Sequence, residues 1–502
     1  MASSLTKAPT GSAGSTGTEK TFLGHPRGLA FLFMTEMWER YSFYGMRALL
    51  VLYLSTEVVD GGLGMKTATA VAIYSVYNAM VYLLALPGGW LGDRLWGARK
   101  ATAIAGVIIM SGHFMLAVPV DAMFFVGLAF IAAGSGLLKS NISTMVGHLY
   151  PDRNDPRRDG GFTIFYMGIN LGAVAAPLTI GSVGQNVDWH LAFAMSGVGM
   201  ALGLVFFFLG FRHLSPESHQ IPSPASAEER SGLLRKGLIW VGIAAAAYAI
   251  VGLTGAFTVD WVLWPLTILG LLLPAWYLFK IRRDKELTQV ERSRMSGYIW
   301  FFVAAAAFWA IYDQTGSVLA LFAKESTEAT LLGFEFPTTW FQSLNPLFVM
   351  SLAPLFAMLW VALYKRSKEP STLSKFAFAL LMVGGSFFVM MVAQGVATGD
   401  VKVSPMWLVS VYFMQTVGEL CLSPVGMSLT TKLAPRKYAS QMMGVWFLAM
   451  TAGNSVIALL QLLGASTDTQ GWFASQGVVA VLAGVAIFMW RRRVQPLMGG
   501  VN

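Results

Sequence analysis

Long apolar runs separated by short polar segments dominate the 502-residue chain. They fall near 27–55, 67–91, 99–119, 121–149, 160–183, 189–211, 233–253, 257–280, 296–323, 336–364, 371–398, 403–431, 437–462 and 471–490. Each is long enough to cross a bilayer core as a helix, which takes about 20 residues. The pattern predicts fourteen transmembrane helices. Residues 1–20 are rich in Ser, Thr, Gly and Ala. They read as a disordered tail without a contiguous apolar stretch before a cleavage site, so the first span is expected to be its own insertion signal.

Composition agrees with the pattern. Hydrophobic residues make up 55% of the chain and charged residues only 12%, against about 25% charged in soluble domains. The formal net charge of +9 would suit nucleic acid, but its distribution does not. With the chain threaded from a cytoplasmic N-terminus, 29 of the 35 Lys and Arg fall in inside segments. Only Lys66, Lys324 and Lys402 fall outside, and Arg40, Arg47 and Lys139 lie in spans. That asymmetry is a positive-inside signal. It predicts both termini in the cytoplasm, contact with membrane lipid and no nucleic-acid partner. One cysteine, Cys421, and six scattered histidines supply no disulfide, metal site, HExxH pair or GxSxG elbow. An enzyme is not expected.

The predicted plan is a tail (1–24), a six-helix bundle (25–213), a polar linker (214–231), a two-helix hairpin (232–284), a second six-helix bundle (285–493) and a C-terminal tail (494–502). Pro216, Pro222 and Pro224 break helices in the linker. The hairpin carries almost no ionisable residue at depth and reads as a lipid-facing accessory. A 6+2+6 arrangement suits a transporter whose halves rock about a central site.

The first span holds the chemistry. Glu36, Glu39, Arg40, Phe43, Tyr44 and Arg47 recur at helical spacing and share one face,. A charge at mid-membrane costs roughly 2.5–3.5 kcal/mol on insertion scales, so this face must look into a bundle or a watery cavity. One reading is an ion-pair stripe that locks two helices; the other, preferred here, is a substrate or ion pathway. Across all spans the deep ionisable residues are Glu36, Glu39, Arg40, Arg47, Lys139, Asp313 and Glu419. Three cations face four carboxylates. A carboxylate left without a cation takes up a proton rather than stay charged, and Glu36 or Glu39 is the expected place.

Motifs narrow the reading. Gly89-Trp-Leu-Gly-Asp93-Arg94-Leu-Trp-Gly97-Ala-Arg99-Lys100 is similar to the inner loop between spans two and three of the major facilitator superfamily. Glu36-x-x-Glu39-Arg40 with Tyr44-Gly45, and Phe165-Tyr166-Met-Gly-Ile-Asn170-Leu-Gly172, resemble the two signatures of the proton-coupled oligopeptide transporter (POT) family. Segments around Trp309–Ser317, Phe341–Pro346 and Gly418–Gly426 extend the likeness over the transport core. Tyr41 and Phe43 depart from the first signature, which has Phe and Tyr there.

The resemblance implies an all-α major facilitator fold and uptake of di- and tripeptides with protons by alternating access, the proton being the coupling ion and no cofactor or metal needed. It implies proton coupling through Glu36, Glu39, Arg40 and Lys139, and a gate of Arg47 with Asp313 near Lys139 with Glu419. A zwitterionic peptide needs cations at one end and an acid at the other. Arg40 and Lys139 suit its carboxylate, Arg as a planar fork and Lys as a compact charge, and Glu419 suits its amine. Asn170, Asn345, Tyr44, Tyr82 and Ser423 are candidates for the peptide backbone, and Trp309 and Trp446 match the family's pocket walls. Function as a monomer is expected. The rivals are a nitrate or other anion carrier of the same family and a drug:proton antiporter.

Overall fold

The computed structural model describes residues 21–150, 152, 155–331, 333–439 and 441–499; the predicted tail over 1–20 and Arg153 of the basic loops lie outside them. The first half comprises α1 (Gly28–Ser55), α2 (Thr67–Leu83), α3 (Ala85–Leu91), α4 (Gly97–Leu116), α5 (Asp121–His148), α6 (Arg157–Ala176), the short α7 (Ser182–Asn186) and α8 (Trp189–Gly210). The hairpin is α9 (Ala227–Leu253) and α10 (Asp260–Arg283). The second half runs through α11 (Gln289–Tyr312), α12 (Val318–Ser326), α13 (Leu344–Lys365), α14 (Thr372–Val396), α15 (Met406–Leu433), α16 (Met442–Leu462) and α17 (Gln470–Val494).

Three passes are broken, between α2 and α3, α6 and α7, and α11 and α12, and one turn between passes is wound tight. Between α6 and α7 the backbone widens into a π turn over Pro177–Gly181, where Pro177 has no N–H for the regular ladder. The α3–α4 turn passes through a π-helical Gly92–Trp96 and ends on Gly97 at φ 73°, a conformation that needs glycine. Between α11 and α12 a 3₁₀ turn, Asp313–Gly316, sets Asp313 at a helix end. Counting each broken pair once gives fourteen passes. Length and hydropathy alone mark twelve segments; Thr67–Leu116 among them is two passes, and α1 carries the charged stripe. A pair of two-residue strands, Thr330–Leu331 with Phe334–Glu335, decorates the loop between α12 and α13 of this all-α membrane protein.

Lipid offers no hydrophobic drive between helices, so packing rests on close approach at small residues. Gly172 of the second signature shows the point. A Cβ there would collide with the Met37 carbonyl of α1 and crowd the Arg40 side chain. Gly136 meets the Leu84 backbone in the same way. The halves touch chiefly through α2 with α16 and α6 with α13.

Three boundaries differ from expectation. The hairpin begins at Ala227 because Ser226 and Glu229 form a capping box,. Its α9 has no buried residue, but α10 packs against both α2 and α16, so only one of the two helices is wholly peripheral. The linker is docked, not free: Ser223 and Ala225 donate N–H bonds to the carbonyls of Asp93 and Arg94, at 3.1 and 3.0 Å. The end expected as a tail from 494 continues into a short helix whose Met498 is 1% exposed. In the loop after α10, Asp284 meets Lys437 at 2.7 Å and the Tyr438 hydroxyl at 2.6 Å. These bonds hold its carboxyl below the usual carboxylate range.

Candidate functional site

A cavity of about 650 Å³ lies between the halves, within the range of small-ligand sites. Glu36, Arg40, Tyr44, Arg47, Tyr82, Lys139 and Asn170 line it from the first half. Trp309, Asp313, Asn345, Glu419, Ser423 and Trp446 line it from the second. Glu39 does not. It is 0% exposed and lies beside Arg40 without reaching the cavity surface.

Arg40 orders this corner. Its Nε lies 2.8 Å from Glu36 Oε1 and 2.7 Å from Glu39 Oε2. A guanidinium Nε carries one proton, and geometry gives it to Glu36. Among the described residues neither Glu39 oxygen accepts a hydrogen bond, nor does Glu36 Oε2. The Glu39 carboxyl thus rests on charge proximity alone.

Lys139 is held differently. Its Nζ lies 4.1 Å from the Tyr82 ring centre and 5.5 Å from that of Phe43. Among the described residues no carboxylate comes within 4.0 Å of it. Phe43, the departure from the family signature, is 2% exposed and also lies under Arg40 at 5.6 Å. It supplies a π face to two cations. The other departure, Tyr41, bonds Thr179 at 2.9 Å, away from this cluster.

The expected Lys139–Glu419 pair is absent. Glu419 Oε2 instead accepts from the Tyr312 hydroxyl at 2.7 Å and from Asn345 Nδ2 at 3.0 Å. Both donors are on its own half, so with the cavity open Glu419 is satisfied without crossing it. The charge surplus moves accordingly. Arg47 pairs with Asp313, and Glu36 and Glu39 share the field of Arg40 and Lys139. Glu419 is the carboxylate left without a cation, not Glu36 or Glu39 as the count over the spans suggested.

One end of the cavity is sealed. Arg47 Nη2 reaches Asp313 Oδ1 at 3.2 Å, and Asn454 donates to the other Asp313 oxygen at 2.7 Å. Arg47 also donates to the Tyr74 hydroxyl at 2.5 Å. Beyond them Gln342 bonds the Ala48 carbonyl, Ser343 the Val174 carbonyl and Trp340 the Ser182 hydroxyl, at 3.2, 2.8 and 2.8 Å. The Arg47–Asp313 pair and these last three bonds cross between the halves. At the other end, beside the basic loops, the wall residues Tyr166 and Met427 are 49% and 38% exposed. The cavity opens there.

Tyr312, Asn454 and Thr416, which bonds Asn345 at 3.0 Å, were not singled out in the sequence. The spacing carried a signal: Asn454 follows Trp446 by two helical turns, Thr416 precedes Glu419 by one, and Tyr312 adjoins Asp313. Ser423 Oγ and Trp309 Nε1 are buried without a partner. Asn170 donates to the Tyr166 carbonyl at 3.0 Å.

Two bundles and a central cavity lined by charged side chains, sealed at one end and open at the other, define a membrane transporter of the major facilitator type. The PTR2 profile, described as POT family, matches residues 99–476. The di-/tripeptide transporter of Lactococcus lactis subsp. cremoris is 38% identical over 494 residues, 97% of this chain and 99% of that one. The uncharacterized transporter YclF of Bacillus subtilis (strain 168) is 42% identical over 485 residues, 96% and 97% of the two chains. A crystal structure of the peptide transporter POT in complex with sulfate superposes with TM-score 0.92 at 42% identity, over 96% of this chain and 98% of that one. A POT family transporter in complex with 5-aminolevulinic acid gives 0.89 at 36%, over 95% and 98%. The chain belongs to the POT family of peptide transporters.

Proposed function

We propose that the protein is a proton-coupled symporter of di- and tripeptides in a bacterial inner membrane, with both termini cytoplasmic, working by alternating access as a monomer. The observation that carries this reading is the charge polarity of the cavity. Arg40 and Lys139 stand on one wall, and Glu419, without a cation, on the other. A peptide carboxylate suits the first wall and a peptide ammonium the second. Relatives named as di-/tripeptide transporters support the substrate class, and a relative's complex with 5-aminolevulinic acid fits an amine and a carboxylate held apart.

Coupling follows from charge balance. Glu36, Glu39, Arg40 and Lys139 sum to zero. A peptide carboxylate adds one negative charge beside them, and a proton on Glu39 restores the balance. Each ligand therefore favours the other, and the linkage is reciprocal. The Arg47–Asp313 pair closes the far side while the near side is open; reopening it requires the halves to rock. Blocking the peptide amine by acetylation tests the polarity. Acetyl-dialanine is expected to bind about thirtyfold more weakly than dialanine to the wild type. In Glu419→Gln the two ligands should bind alike. An equal acetylation penalty in both proteins would remove Glu419 from amine recognition.

A further inference from the structure

Outside the central cavity, a second cleft of about 360 Å³ opens between α13 and α15. The two helices are joined at their outer ends, where Phe348 packs on Phe413 and Asn345 bonds Thr416. Toward the basic end they part. Phe356 and Trp360 of α13 form one wall, and Leu420 and Leu429 of α15 the other. The end of the cleft at the α13–α14 turn is charged: Lys375, Glu369 and Lys432 line it.

The charges are built in. Lys375 is 8% exposed; its Nζ lies 2.6 Å from Glu369 Oε1 and 4.4 Å from the Trp360 ring centre. Glu369 cancels one lysine. Lys432 is exposed, and among the described residues no carboxylate lies within 4.0 Å of it. The cleft thus has hydrocarbon walls between two membrane helices and one net positive charge where these helices reach the basic face. The α13 surface around it is apolar and exposed, with Leu355 at 53% and Met358 at 61%, so hydrocarbon is its surrounding solvent.

We propose that this cleft binds one anionic phospholipid, its phosphodiester between Lys375 and Lys432 and an acyl chain between α13 and α15. One net positive charge matches a monoanionic phosphodiester with an uncharged headgroup, as in phosphatidylglycerol. The apolar walls favour a lipid over a free phosphate ester of the same headgroup chemistry.

The test uses the full chain purified in mild detergent, with bound lipid counted by native mass spectrometry. Phosphatidylglycerol is expected to bind in preference to phosphatidylcholine of the same chains. Lys432→Gln should weaken phosphatidylglycerol about fivefold, the effect of one basic side chain near an anionic headgroup, and leave phosphatidylcholine unchanged. Arg492→Gln, on the same basic face but remote in sequence, should change neither. Ala353→Trp fills the apolar part of the cleft without touching a charge and should expel the lipid. Glycerophosphoglycerol, which lacks the chains, should not compete. The proposal fails if Lys432→Gln binds as wild type or if Arg492→Gln loses as much, since the preference would then belong to the whole basic face. It fails equally if the lipid survives Ala353→Trp, or if the chain-free headgroup displaces it and so marks a site for soluble phosphate esters.

Discussion

The two halves hold their buried carboxylates in different ways. On the second half, Glu419 is pinned by a tyrosine and an asparagine of its own bundle, and Asp313 by Arg47 and Asn454. On the first half, Glu39 is buried with no hydrogen bond and one guanidinium beside it. A carboxylate fixed by neutral donors keeps its position for a ligand that brings a cation. One held by charge alone responds when the charge around it changes. On the proposed reading, Glu419 serves substrate recognition and Glu39 proton carriage.

The strongest way to break this comparison is Glu39→Gln, which keeps the shape and removes the proton site. Gradient-driven accumulation should disappear while peptide exchange across the membrane persists. Full accumulation in this variant would remove Glu39 from coupling. Arg47→Gln comes next. It leaves Asp313 buried without its cation, and losing one partner of a buried pair costs about 3–5 kcal/mol. Labelling of a cysteine introduced at the sealed end should rise by about tenfold or more as the outer side opens; unchanged labelling would mean that the backbone-linked contacts of Gln342 and Ser343 suffice.

Smaller changes sharpen the contrast. Tyr312→Phe removes one donor from Glu419 and should weaken peptide binding about tenfold, the worth of one hydrogen bond to a charged group, while leaving proton coupling intact. A loss of coupling with normal binding would merge the two roles. Phe43→Leu removes the π face under Arg40 and Lys139. Its effect on KM should be about two- to fivefold, and rescue is expected with Tyr, which restores the ring. No change with Leu would make Phe43 a packing residue only.

The first span was legible because its charges recur at helical spacing in a run that must otherwise face lipid, and that spacing places Arg40 against Glu36. The fourteen spans were legible for the same reason: apolar length is read directly by the bilayer. What could not be read was partner choice across helices. The sequence offers Lys139 and Glu419 as opposite charges, but which donors reach Glu419 depends on the α11–α15 approach, permitted where Gly418 lies against Phe308. Likewise the packing of α10 against both halves depends on its Gly270 face meeting Ser455, which hydropathy does not distinguish from a face toward lipid.

Uptake of labelled dialanine into proteoliposomes, with and without an inward proton gradient and inside-negative potential, tests the central claim most directly. The account predicts accumulation above the outside concentration only when the gradient is present, competed by unlabelled dipeptides. Folded, inserted protein that accumulates no dialanine under the gradient, or accumulates it equally without one, would contradict it.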